Sequence, residues 1–185
     1  MKSILAAFIG LMLASSCQRA EPETYLIPAN FTGRVQIIFN QNGAPYKYRN
    51  EYNRDTIYTP KMGELAKYEN GRRVYEIPSN GVLLTQFKSN DGFIDKEYYS
   101  VESNGKRIRL EVYELDHYKK DSTRWVVKDV NQKGVFDGVV GSIGNMNIPF
   151  QFFIVSSLKM LDTINNKNRI DSFNTKVDMA IGVSY

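Results

Sequence analysis

Apolar and polar positions alternate with a period of two over several short stretches of this chain, and asparagine, glycine and proline separate the stretches. Val35, Ile37 and Phe39 alternate with Arg34, Gln36 and Ile38, so residues 34–39 read as a strand with one apolar face and one mixed face. Residues 25–28 read as a strand before it, joined through a turn at residues 30–33. Residues 72–77 (RRVYEI), the turn Pro78-Ser79-Asn80-Gly81 and residues 82–87 (VLLTQF) predict a hairpin. Residues 97–102, the turn Ser103-Asn104-Gly105 and residues 106–113 predict a second one. In the latter, Ile108, Leu110 and Val112 are expected on one face, and Arg107, Arg109, Glu111 and Tyr113 on the other. Residues 41–70, with Pro45, Pro60 and Gly63, show no sustained period and read as a loop or an irregular excursion.

Further on, residues 124–128 (RWVVK) predict a strand and residues 148–155 (IPFQFFIV) a buried one. Glycines recur between them, at Gly134, Gly138, Gly141 and Gly144, where strand bulges and turns explain them. Ser156 or Ser157 is placed to cap a short helix with Leu158, Leu161 and Ile164 on one face. Phe173, Val177, Ala180 and Ile181 form the stripe of a second amphipathic helix. The expected architecture is mostly β, antiparallel and sandwich-like, with two short C-terminal helices; α+β is the alternative. Twelve tyrosines and ten phenylalanines favour strand, as do Asn-Gly pairs at Asn42, Asn70, Asn80 and Asn104.

The first seventeen residues follow another logic. Lys2 supplies a positive start, residues 4–13 (ILAAFIGLML) are apolar, and Ala14, Ser15 and Ser16 are small, which is secretory signal architecture. Polar Gln18 and Arg19 end the run well before the roughly 20 residues a spanning helix needs. Cys17 is the single cysteine, so it has no intramolecular disulfide partner. Residues 13–17 (LASSC) resemble the lipobox of bacterial lipoproteins, in which the cysteine takes a diacylglyceryl group and the leader is cut just before it. Ala14 departs from the leucine usual at its position. Ala14 and Ser16 also satisfy the small-x-small rule of ordinary signal peptidase, so a secreted chain with a free thiol is the alternative. The division expected is a signal peptide over 1–16, a lipidated cysteine and spacer over 17–24, and a single β-rich domain over 25–185.

Charge narrows the picture only slightly. Lys and Arg number 24 against 20 Asp and Glu, a formal +4 with the signs interspersed, so no anionic polymer is called for and no nucleic-acid partner is expected.

Candidate chemistry is sparse. His117 is the only histidine and stands in a charged turn beside Asp116, Lys119 and Lys120, a poor place to hold a catalytic base. Zinc sites of the usual kind need several Cys and His ligands, so no metal and no cofactor is expected. Asn90-Asp91-Gly92 with Asp95 lacks the spaced acids of a calcium loop, and a turn is the reading for it. No Gly-Lys-Ser/Thr follows the glycines of residues 134–144, so they are not read as a phosphate loop. One constellation retains interest: Tyr46, Lys47, Tyr48, Arg49, Tyr52, Arg54 and Tyr58 interleave rings with cations. Such a surface stacks on sugars or holds an extended peptide; otherwise the rings cap a sheet edge and the cations solvate it. A carboxylate-dependent hydrolase is a third class, for which sequence assigns no pair.

Residues 25–33 (YLIPANFTG), 35–41 (VQIIFNQ), 68–87 (YENGRRVYEIPSNGVLLTQF), 91–95 (DGFID) and 97–107 (EYYSVESNGKR) resemble a family of bacterial lipoprotein domains of unknown function, family 6843. The resemblance covers residues 25–113, and residues 46–65 are longer than its pattern. It implies a shared fold and an envelope address but no activity. The expectation is thus a non-enzymatic protein, anchored to a membrane through lipid on Cys17 and facing periplasm or cell exterior. Its role would be tethered binding or scaffolding with an envelope glycan or protein partner.

Overall fold

The computed structural model describes residues 20–49, 55–58, 62–90, 92–115, 125–138, 140–143 and 148–161. One strand, β1 (Glu23–Pro28), occupies the middle of the first sheet. It runs parallel to both neighbours, β6 (Arg72–Glu76) and β8 (Lys96–Val101), with Tyr25 opposite Tyr75 on one side and Tyr98 on the other. β5 (Lys67–Glu69) adds antiparallel outside β6, and β9 (Arg107–Arg109) outside β8. Paired along both edges, β1 buries Thr24 and Leu26 as well as Glu23, Tyr25 and Ile27. Strands so placed read as continuous runs rather than clean alternations.

The second sheet runs β11 (Trp125–Val126), β10 (Glu111–Leu115), β12 (Gly134–Phe136), β14 (Ile148–Ser156), β2 (Gly33–Ile38) and β7 (Val82–Leu84); β13 (Val140–Ile143) pairs the first half of β14. Its inner face meets that of the first sheet. Tyr25, Ile27, Tyr75, Ile77 and Tyr98 pack against Val35, Ile37, Leu83, Val135, Phe153 and Val155 in one continuous core. The fold is therefore the mostly-β sandwich expected. Both sheets are mixed, however, because β1–β6, β1–β8, β2–β7 and β10–β12 are all parallel.

Two of these pairs, β1–β6 and β2–β7, have one cause: the chain changes sheets at the turn after β1 and again within residues 72–87, where a hairpin was expected. β1 leads to β2 and β6 leads to β7, and in each case the second strand lies in the opposite sheet. Residues 25–39 and 72–87 are consequently not paired strands but two arches, stacked so that like strands run side by side. Their turns match. Phe31 N–H donates to the Pro28 carbonyl at 2.9 Å, and Gly81 N–H donates to the Pro78 carbonyl at 2.9 Å. Both arches carry Tyr-x-Ile-Pro-small-Asn, at residues 25–30 and 75–80.

Gly81 is where the arches touch most closely. Its φ is +78°, and a Cβ there would lie 2.6 Å from the Arg34 carbonyl oxygen and 2.9 Å from Phe31 Cζ. A left-handed backbone costs a non-glycine residue roughly 1–2 kcal/mol, and the clash adds to that. Gly81→Ala is expected to destabilise the fold by about 3 kcal/mol in urea titrations, whereas Gly105→Ala, in open space at φ +83°, pays only the backbone part.

The second predicted hairpin forms between β8 and β9, then breaks. At Leu110 the chain leaves the first sheet, with Leu110 N–H bonded to the Tyr98 carbonyl at 2.8 Å, and β10 enters the second. The crossing breaks the expected alternation: Ile108 and Val112 are exposed, while Leu110, expected on their face, and Tyr113, expected on the other, are both buried.

Residues 41–70 are not a plain loop either, since β3 (Tyr46–Arg49) pairs antiparallel with β4 (Asp55–Tyr58) and β5 follows. β1 opens at Glu23, so the stretch read as spacer ends two residues earlier than expected. At Gly138, where a strand bulge or turn was expected, the reason for glycine is close backbone approach: a Cβ there would fall 1.9 Å from the Phe152 carbonyl oxygen. Residues 158–161 form one helical turn whose Leu161 packs with Tyr113 and Phe136. Ser156 Oγ donates to the Ser157 carbonyl, and Ser157 stands directly before the turn, its carbonyl accepting from Met160 N–H at 3.1 Å. The predicted continuation to Ile164 and the second helix (Phe173, Val177, Ala180, Ile181) lie outside the described residues.

Candidate functional site

The parallel register around β1 builds a polar centre inside the sandwich. Tyr75, Tyr25 and Tyr98 stack in that order, with ring centroids 5.1 and 4.6 Å apart and planes within 22° and 12°. Phe153 meets Tyr25 and Tyr98 edge-on from the other sheet, at 5.3 and 5.1 Å. Two residues before Tyr25, on the same face, Glu23 is wholly buried. The Tyr25 hydroxyl donates to Glu23 Oε2; the Tyr75 hydroxyl and Asn90 Nδ2 both donate to Oε1 at 3.2 Å. Gln151 Oε1 lies 3.3 Å from the Tyr25 hydroxyl.

Electrostatics keep these phenols neutral. Burial, reinforced by the nearby Glu23, pushes Tyr25 and Tyr75 well above the ordinary tyrosine range. Burial together with the Asp137 carboxylate does the same to Tyr98. Glu23 itself is closed off from solvent. What the centre does is lock three strands: a one-residue slip would take Glu23 away from its donors and break the ring stack.

A second layer clamps the start of β1. Arg72 donates to the Glu23 carbonyl at 2.7 Å, to Thr24 Oγ1 at 2.9 Å and to Asp95 Oδ2 at 2.6 Å. Arg73 pairs with Glu21, donates to the Lys88 carbonyl at 2.6 Å, and lies over the Phe87 ring. Asn90 Nδ2 donates to the Glu21 carbonyl at 2.6 Å, and Asn90 Oδ1 accepts from Glu21 N–H at 3.3 Å. Asn90 and Asp95, considered above as parts of a calcium loop, are thus engaged in this clamp. Among the described residues no group of three His, Cys, Asp or Glu side chains is placed to hold a metal.

An accessible groove of about 650 Å³ opens where the chain crosses from β9 to β10. The crossing splits the two sheets at this edge and leaves Val112 and Val126 on an open floor, 42% and 61% exposed. Charged groups line the rim, and most are engaged: Lys128 lies 3.9 Å from Glu111, Lys96 lies 3.7 Å from Asp137, and Glu97 faces Arg72 at 3.6 Å. Arg109 has no ion pair among the described residues. A guanidinium beside an apolar floor suits a ligand that joins an acidic group to an apolar one, because the planar fork binds carboxylate in two-point fashion. Nothing in the apparent alternation of residues 106–113 revealed this groove, since it arises from the break at Leu110.

Of the residues singled out from sequence, Tyr46, Tyr48, Arg49 and Tyr58 fall on the β3–β4 ribbon, where Tyr46 stands opposite Tyr58, Tyr48 opposite Thr56 and Arg49 opposite Asp55. Tyr52 and Arg54, like Cys17 and His117, lie outside the described residues.

Fold and site together define a mixed β-sandwich organised on a buried tyrosine stack, with an open, charge-rimmed groove at one seam. The chain belongs to the family of unknown function DUF6843, which it matches over residues 19–57 and 55–136. No curated protein matches it. A 2.75 Å crystal structure of a "Putative Lipoprotein" from Bacillus anthracis is similar in fold, at 16% sequence identity and a TM-score of 0.51, over 87% of this chain and 96% of that one.

Proposed function

We propose that this chain is a lipid-anchored protein of the cell envelope that captures a partner in the groove between β9 and β10. The observation that carries the reading is Cys17: a lone cysteine, directly after small residues that close an apolar leader. Two or three acyl chains on the mature amino-terminal cysteine hold a protein durably, at about 0.8 kcal/mol per buried methylene. The family match and the lipoprotein description of the Bacillus anthracis protein support the same address. Tethering raises the effective concentration of the groove near a neighbouring partner. A polypeptide segment pairing an apolar residue with a carboxylate is the partner that Val112, Val126 and Arg109 suit.

The test has two readouts in intact cells. Cys17→Ala is expected to abolish labelling by a palmitate analogue and to release the protein from the membrane fraction. A photo-crosslinking residue at Val126 is expected to give a discrete adduct that Arg109→Glu removes. Equal lipid labelling of wild type and Cys17→Ala overturns the anchor; an adduct indifferent to Arg109→Glu overturns the groove.

A further inference from the structure

Phe93 is fully exposed, at 104% of its reference area, and stands in the short loop between Asn90 and β8. Ile94 and half-exposed Val140 share its concave surface. A single exposed aromatic ring needs no explanation on most proteins. Here its position supplies one.

The loop is fastened to the stretch that emerges from the leader. Asn90 holds the backbone of Glu21 through two hydrogen bonds, and a Cβ on Gly92 would stand only 3.8 Å from Ala20 Cβ. Cys17 precedes Ala20 by three residues, which reach ~10 Å at full extension. If Cys17 carries acyl chains, as proposed above, the end of the sandwich that bears Phe93 cannot leave the headgroup region.

The charges at this end also fit an apolar contact. Three described carboxylates near the loop face cations: Glu21 pairs with Arg73, Asp95 with Arg72 at 2.6 Å, and Asp137 with Lys96 at 3.7 Å. These three carboxylates are therefore compensated where the loop would meet a lipid interface.

We infer that Phe93 and Ile94 insert into the bilayer interface and stand the sandwich on end, with the Asn104 turn pointing away from the membrane. β8 links the two ends: it starts at Lys96, two residues after Ile94, and finishes at Val101, just before the turn at residues 103–104. The lipid would supply attachment, and the Phe93 loop would supply orientation. The groove would then be presented from the side of the domain rather than pressed against the membrane.

The inference rests on the lipid-anchor reading, and the experiment separates the two. Mature lipidated protein is reconstituted in phosphatidylcholine vesicles containing acyl-brominated lipid. The single tryptophan is moved by Trp125→Phe with either Phe93→Trp or Ser103→Trp. Strong quenching at position 93, at least several-fold above that at position 103, is the expected result. Equal, weak quenching at both positions in protein whose mass shows acylated Cys17 overturns the insertion and leaves the anchor standing. An unmodified Cys17 by mass removes the tether and the inference with it. A measurement on the wild-type chain guards against misfolded variants. Amide hydrogen exchange at residues 92–94 is expected to slow roughly tenfold on vesicles while residues 103–105 stay unchanged; no slowing at 92–94 refutes insertion.

Discussion

Replacing Tyr25 with alanine is expected to remove about 5 kcal/mol of stability, enough to unfold a domain of ordinary marginality. Aromatic-to-alanine changes in a core typically cost 3–5 kcal/mol through lost burial and the cavity left behind. Tyr25 adds two further losses. It is the middle ring of the stack, so both ring contacts go at once. Its hydroxyl also serves Glu23, a buried group that loses one of its donors. Tyr25→Phe separates these contributions, since it keeps the rings and deletes the hydroxyl; it is expected to cost about 2 kcal/mol. Urea unfolding followed by near-ultraviolet circular dichroism reads both. If the phenylalanine variant is as unstable as the alanine one, the hydrogen bonds rather than the stack hold the centre together.

A steep loss of stability above about pH 10 is the second large expectation. Tyr25, Tyr75 and Tyr98 all have their phenols raised above the ordinary tyrosine value, chiefly by burial, with Glu23 adding to the first two and Asp137 to the third. The folded chain therefore keeps these protons at a pH where the unfolded chain releases them. Stability that is fully present below the unfolded value declines as pH rises through it toward the folded values. Each retained proton contributes a slope of up to about 1.4 kcal/mol per pH unit, so three give up to about 4. Tyr98→Phe should flatten the decline by about a third. Chemical denaturation at a series of alkaline pH values, with tyrosinate absorbance recorded alongside, checks the sign and the size; a profile flat well beyond pH 10 would contradict the burial of these hydroxyls.

Which parts of this fold were legible beforehand follows from what a local pattern encodes. The strands at 72–76, 96–101 and 148–156 stand out because β-branched and aromatic residues sit between strong turn signals. Pairing is another matter. A strand, a tight turn and a second strand describe an arch as well as a hairpin, and the difference lies in whether the two inner faces meet each other or the same neighbour. The deciding clue was present as the repeated Tyr-x-Ile-Pro-small-Asn at residues 25–30 and 75–80, a self-similarity that marks stacked units. Glu23 was hidden for a different reason. It sits in a polar, proline-bearing stretch that resembles a spacer, and only its three hydrogen-bond donors, from residues 25, 75 and 90, make it part of the core. Phe93 and Arg109 have no periodic signature at all, because their standing depends on where neighbouring segments leave room.

The order of pairing along β2 bears on how this chain is assembled. Its partners are β7, some fifty residues later, and β14, which begins at Ile148. A nascent chain halted before Ile148 holds β2 with one rim of amide and carbonyl groups open, a template for unwanted association. Loop closure over such separations is slow compared with local hairpin formation. The sandwich thus cannot be completed piecemeal from its amino terminus, and the second sheet waits for nearly the whole polypeptide before it can close.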